Sequence, residues 1–377
     1  MNNPNYQKTA SFVESRFMDL LLSDDFAMSR LGFNRDELKQ SSTRSLLDIE
    51  EKAREKKLKQ QATKQEFKVY VSEYFHENLF TYLEQRVADP DYIFTELLQF
   101  EPEIPKLFDA CAAKAAGASH FEQIIARIPW LNTNFIETIN NPPFREAKSI
   151  KPKVENLGLA IRYVGLDNTK LVVLSQVAQH FLPHSTEPYN TFKGRYWQYV
   201  VATANCSRQL ARYYQLNEVV AFFLGLFHAI GTSLALRLYL RAFDTVRVAQ
   251  MKDALKNGRR DIETVLNGLE IDPNFISDAL TKFSNQISYR VFEKLGLKYA
   301  VVAPFVEEIK DKLAFDQASP MTQVLMQART FSQYKILQKA RLIELDEAKI
   351  FLTNYKIGNA VIGELNKVNL TNIKYSK

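Results

Sequence analysis

The side chains able to bind metal or act as nucleophiles are few: five histidines and two cysteines in 377 residues. His180 and His184 are four apart, a spacing that sets two imidazoles on one helix face. Two ligands fall short of a usual zinc site, and Pro183 between them is expected to end the helix. A helix C-terminus favours a cationic imidazole, so capping is the simpler role for this pair. His76 and His120 stand alone in polar contexts. His228, inside an apolar run, reads as a half-buried imidazole bonded to a backbone carbonyl where two core helices cross. Its alternative role is a remnant ligand or a polar contact in a small-molecule pocket. Cys111 and Cys206 lack a histidine in a catalytic signature and read as small buried hydrophobes. No G-x-x-x-x-G-K-[ST] or G-x-G-x-x-G phosphate loop is present; Gly194, Gly225 and Gly231 are isolated. Arg208 with Arg212, and Arg237 with Arg241, are four apart. Each pair could line a basic groove for an acidic partner or nucleotide, although a solvated helix face is the commoner outcome. Tyr196-Trp197 and Tyr213-Tyr214 are aromatic pairs suited to anchoring a partner or filling a core.

The elements that must position these groups are expected to be helices throughout. Glycine and proline number only 12 and 13, so turns are sparse, and no alternating pattern calls for a sheet. The fold class expected is all-α. The net charge of +6 is spread thinly, unlike the concentrated face of a nucleic-acid module, so no DNA partner is expected. Two cysteines cannot build a disulfide framework, and no apolar signal opens the chain, so a reducing cytoplasm is expected. Val219 to Leu236 is 18 residues without a formal charge. It is slightly short for a bilayer span and carries His228, Gly231, Thr232 and Ser233 at its centre. The reading is a buried core helix ending near Gly231 and a second starting at Thr232-Ser233, with no membrane span.

Along the chain, the polar start Met1-Asn2-Asn3 leads into Phe12, Val13, Phe17, Leu20 and Leu21 at helical spacing. Leu46 to Arg86 is the longest periodic stretch. It opens on Leu46, Leu47, Ile49, Ala53 and Leu58, and its stripe from Phe67 to Leu83 needs an apolar partner. Glu50 to Lys68 carries seven Lys/Arg and four Glu, interspersed as on a solvated helix. Asp89-Pro90-Asp91 stops that helix. A short helix is expected over Tyr92–Phe100 and a linker over Glu101–Pro105. Breaks follow at Gly117, Pro129, Pro142-Pro143, Gly165, Pro183, Gly194, Gly231, Gly258 and Asp272-Pro273. Beyond Ser319 the chain is helical again, with Leu325, Phe331, Leu337 and Leu345 as core candidates. The organisation read from this is an N-terminal helical extension over 1–100, a central domain over 101–312 and a C-terminal helical extension over 313–377.

Three stretches of the central region together resemble the HDOD family, the HD-related output domains. Phe121 to Phe144 resembles its opening helix pair, with the turn Ile128-Pro129-Trp130-Leu131 and the end Ile139-Asn140-Asn141. Val154 to Leu182 resembles its next segment, with Ala160-Ile161, then Val164-Gly165-Leu166, then a long helix. Tyr196-Trp197-Gln198-Tyr199 and Phe222 to Gly231 (FFLGLFHAIG) resemble its F-W-x-H-S helix and its A-G-L-L-H-D-I-G motif. The resemblance covers roughly residues 100 to 310.

The resemblance implies kinship with HD phosphohydrolases, in which a His-Asp pair, an upstream His and a downstream Asp hold metal ions that activate water. Here the pair is His228-Ala229 and the upstream position is Tyr199; Asp244 lies downstream in an exposed-looking run. Alanine offers a cation nothing, so no catalytic residue, metal or cofactor is expected. A vestigial ligand pocket would be lined by Tyr199, His228 and Arg195. The function implied is that of a non-enzymatic bacterial signal-transduction protein acting through protein contacts, with unidentified signalling partners and room for a small nucleotide or acidic ligand. The alternative is a divergent metal-dependent phosphohydrolase or phosphodiesterase acting on a nucleotide, or a metal-free small-ligand sensor using the ancestral pocket.

Overall fold

Caps and prolines written into the sequence punctuate the chain. A computed structural model describes residues 4–31, 48–142, 144–145 and 153–373, with the side chains of the first segment from Tyr6 and of the second from Thr63. The elements are α1 (Pro4–Leu22), α2 (Asp24–Ser29), α3 (Asp48–Ala88), α4 (Pro90–Tyr92, running into a π-helical turn Ile93–Leu98), α5 (Ile104–Ala112), α6 (Ala118–Ile125), α7 (Pro129–Asn140), α8 (Leu157–Val164) and α9 (Leu166–His180). They continue as α10 (Phe192–Tyr213), α11 (Glu218–Phe227), α12 (Ile230–Lys256), α13 (Arg260–Asn267), α14 (Pro273–Leu295), α15 (Ala303–Lys310), α16 (Pro320–Lys339), α17 (Leu345–Asn354) and α18 (Asn359–Leu365). Among the described residues no strand occurs, so the all-α expectation holds. Asn217 caps α11 by accepting the Val219 and Val220 amides at 3.1 Å each, satisfying two donors the helix itself leaves open. Asp272 caps α14, with Pro273 at its first position.

The centre of the molecule is a stack of α10, α11, α12 and α14, with α16 laid along α10. Both extensions are built into this stack. Val13, Phe17, Leu20 and Leu21 of α1 are buried in the main core, while Phe12 turns to solvent. Val71, Phe75, Leu79, Leu83 and Val87 bury the α3 stripe against α12 to α14. The two ends of the chain are also tied to each other. Arg16 of α1 makes a two-pronged ion pair with Glu347 of α17, at 2.7 and 3.0 Å, and donates to the Leu342 carbonyl at 2.8 Å.

Several expectations need correction. The apolar run breaks at His228-Ala229, three residues before Gly231, which lies inside α12; Gly194 likewise lies inside α10. The apolar window within 218–256 is 94% buried inside the fold. The expected linker shortens, because α5 begins at Ile104 with Pro105 inside its first turn. Leu345 is exposed, whereas Leu325, Phe331 and Leu337 are buried as expected. His76, read as polar and solitary, is buried and stacked on Phe275 with ring centroids 3.5 Å apart. His180 ends α9 as expected, but it stacks on Trp130 at 3.9 Å and burial lowers its pKa, against a cationic cap. The expectations for Met1 to Asn3, Leu46, Leu47 and Pro143, and for the side chains of Ile49, Ala53, Leu58 and most of the Glu50–Lys68 charge run, lie outside the described residues.

Candidate functional site

The helices that cross at His228 do so at backbone distance, which only glycine permits. A β-carbon on Gly225 would lie 2.5 Å from Cα of Ala204, so α11 touches α10 directly. One on Gly231 would lie 1.9 Å from the Ser284 carbonyl oxygen, so α12 sits equally close to α14. Ser288 of α14 fastens this crossing. Its hydroxyl donates to the His228 carbonyl and accepts from the Gly231 amide, both at 2.9 Å.

The crossing fixes the chemical state of the imidazole. Nδ1 of His228 lies 2.9 Å from the Gly225 carbonyl, which can only accept, so Nδ1 carries the proton and Nε2 is an acceptor. That acceptor takes the Tyr199 hydroxyl at 3.0 Å. Burial, and then the nearby Arg329 charge, push the His228 pKa down to about 3, so the ring is neutral at physiological pH. Burial raises the Tyr199 pKa and holds the phenol protonated.

Two side chains from α16 complete the shell. Gln333 Nε2 donates to the Tyr199 oxygen at 3.4 Å, and the nearby Arg329 charge works against the effect of burial on that phenol. Arg329 Nη2 lies 3.9 Å from Glu14 Oε1 of α1, and that carboxylate accepts the Tyr355 hydroxyl at 2.8 Å. Phe17 of α1 packs on the Tyr199 ring with centroids 4.7 Å apart.

Of the three residues expected to line a pocket, the structure brings Tyr199 and His228 together and turns Arg195 away. Arg195 donates to the Leu20 carbonyl at 2.6 Å and pairs with Asp24, capping the end of α1. The arginine pairs also serve elsewhere. Arg208 and Arg212 both hold Glu218, and Arg237 and Arg241 donate to the carbonyls of Leu97 and Glu96. Tyr196 is buried and Trp197 half-buried, whereas Tyr213 and Tyr214 are exposed. Asp244 pairs with Arg247 at the surface. Both cysteines are buried and their thiols pushed up to about 12 by burial.

Residues 97–268 match the HDOD domain family. This chain carries an HDOD domain. The domain runs from the π-turn after α4 to the end of α13 and contains Tyr199 and His228 but not Arg329, Gln333, Ser288 or Glu14. No curated protein matches the chain. Two crystal structures from Shewanella amazonensis SB2B are similar to it. A candidate phosphohydrolase is 18% identical with a TM-score of 0.46, over 76% of this chain and 92% of that one. A candidate metal-dependent phosphohydrolase is 14% identical with a TM-score of 0.42, over 78% and 99%.

An HD-type metal centre does not fit the residues of this HDOD domain. Among the described residues no three of His, Cys, Asp and Glu gather as a ligand set. The one imidazole has its lone pair occupied by Tyr199, and Ala229 has no donor. A guanidinium already supplies positive charge beside the phenol. Sequence reasoning found the Tyr199–His228 pair through the family motif and missed Arg329, Gln333 and Glu14. One signal was present: Arg329 is the only formal charge between Asp316 and Lys335, and a lone charge in an otherwise uncharged stretch points to a partner inside the fold.

Proposed function

We propose that this chain is a non-catalytic bacterial regulatory protein, working in the cytoplasm, whose HDOD domain acts through contacts with signalling proteins. One observation carries the reading. Both nitrogens of His228 are consumed by the fold itself, by Gly225 and Tyr199, at the place where an HD hydrolase needs free ligands. A shell closed by hydrogen bonds rigidifies a crossing of helices; it offers no open coordination position and no base aimed at water. Contacts fit a chain whose two extensions are built into one core with the domain, because a partner holding either extension also loads the central helices. The exposed Tyr213 and Tyr214 at the end of α10 offer aromatic anchors on the domain itself.

The test is elemental analysis by mass spectrometry of protein purified without chelator. It is run beside hydrolysis of p-nitrophenyl phosphate and bis(p-nitrophenyl) phosphate with added manganese, magnesium or iron. Metal-free, inactive protein is expected. Stoichiometric metal, with hydrolysis that His228→Ala abolishes, would overturn the proposal and return the nucleotide phosphohydrolase reading.

A further inference from the structure

A cavity of about 530 Å³ lies where the two extensions meet the central stack, within the size range of small-molecule sites. Part of its lining is apolar, made by Ala10 of α1, Leu313 and Phe315 after α15, and Met326 of α16. Polar and charged groups line it too: Glu14, Arg329 and Tyr355, with Lys312 and the ion pair Lys356–Asp316.

The charges in this lining do not balance locally. Lys356 and Asp316 neutralise each other. Glu14 already accepts the Tyr355 hydroxyl, and it stands 3.9 Å from Arg329, the far limit of an ion pair. Arg329 is therefore a largely shielded cation, its side chain 17% exposed, and among the described residues its ion pair is this long contact to Glu14. Its buried Nε has no hydrogen-bond acceptor among the described residues. A guanidinium has five donors in a planar fork suited to two oxygens of one anion, and leaving such a group under-partnered in low dielectric is costly. Lys312 adds a second cation on the rim.

We propose that this cavity binds a small molecule with an apolar body and one anionic group, a phosphate or a carboxylate, held by Arg329. The apolar part of the lining covers the body of the ligand, and Lys312 contributes to a doubly charged head group more than to a single charge. The Arg329 charge also acts on Tyr199 and His228, so an anion that neutralises the guanidinium changes the electrostatics of that pair. This gives the regulatory protein an input, and it rests on that reading only for that consequence.

Full-length protein is titrated by calorimetry with phenyl phosphate and, separately, with benzoate. A Kd of about 1 mM or tighter is expected for at least one of these fragment-sized probes, weakened tenfold or more in both Arg329→Gln and Ser11→Tyr. Ser11 is exposed and lines the rim of the cavity. Its tyrosine variant fills that space and leaves every charged group in place, so it decides the matter if Arg329→Gln does not fold. Preference for phenyl phosphate assigns a phosphate ligand, and preference for benzoate a carboxylate. Absence of heat with both probes, or binding that survives Ser11→Tyr, overturns the site. Neither result alters metal content or hydrolysis, so failure of the site and failure of the regulatory reading are separable.

Discussion

Replacing Tyr199 by phenylalanine removes one oxygen atom and tests whether the HD position is held shut by hydrogen bonds or merely by packing. The ring keeps its contact with Phe17, so no cavity larger than a hydroxyl opens. Two hydrogen bonds go at once. His228 Nε2 loses its donor at 3.0 Å inside a site only a few per cent exposed, and stranding a buried acceptor costs about 1–3 kcal/mol. The Gln333 contact at 3.4 Å is long and adds little. The loss of stability is then about 1–3 kcal/mol, and at roughly 2 °C per kcal/mol for a chain of this size the Tm falls by about 2–6 °C. Calorimetric melting of Tyr199→Phe beside Tyr196→Phe, a buried tyrosine one turn away whose hydroxyl makes none of these bonds, measures the effect. Nitrogen-15 spectra of labelled histidine add a second readout, since the Nε2 resonance of His228 shifts only if the bond to Tyr199 existed. A Tm change under about 1 °C with an unmoved His228 resonance would refute the account, because it would mean the phenol is not engaged.

Two further outcomes follow from the same region. Gly231→Ala places a β-carbon 1.9 Å from a backbone oxygen that cannot rotate away. The gain in helix propensity is at most about 1 kcal/mol and overpacking costs about 1–3 kcal/mol or more, so the denaturant midpoint falls, and an unchanged midpoint would mean that α12 and α14 do not cross this closely. Acid stability is set by neutral buried imidazoles. With His228 near 3 in the folded protein and about 6.5 unfolded, the unfolded chain binds the extra proton between these values. Stability is therefore full above pH 6.5 and lost as pH falls toward 3. His228 alone contributes a loss of about 2 kcal/mol between pH 6.5 and 5, and the lowered values of His76 and His180 act in the same direction. Urea titrations across this window check it. A His228→Gln variant as pH-dependent as the parent would show that the imidazole is already charged or exposed.

Local chemistry made much of this fold readable. Asn217, Asp272-Pro273 and Asp89-Pro90 act as caps and stops because a side-chain oxygen or a missing N–H acts within a few residues. Apolar spacing placed Phe17, Phe75 and Phe331 in the core for a similar reason. Gly194 and Gly231 were misread because glycine marks either a bend or a close approach, and only the neighbouring helix decides which. Tyr199 and His228 could be paired from a motif that spans 29 residues. Arg329 and Glu14 could not, because they come from helices more than 300 residues apart that meet only once the core has assembled. Arg195 was misassigned because a helix face known from its own sequence does not say which neighbour covers it.

Ser288, Arg329, Gln333 and Glu14 all lie beyond the stretch that matches the family, which has a practical meaning for anyone cutting or splicing the gene. The stretch that matches the HDOD family and the hydrophobic core that encloses it do not coincide in this protein. A fragment trimmed to residues 97–268 would lose the serine that staples the His228 crossing and the Gln333 amide that donates to Tyr199. It would also leave bare the core faces now covered by α1, α3, α14 and α16, inviting aggregation in place of an isolated module. Chimeras and truncations should take their joints from the ends of the helical core rather than from the edges of homology.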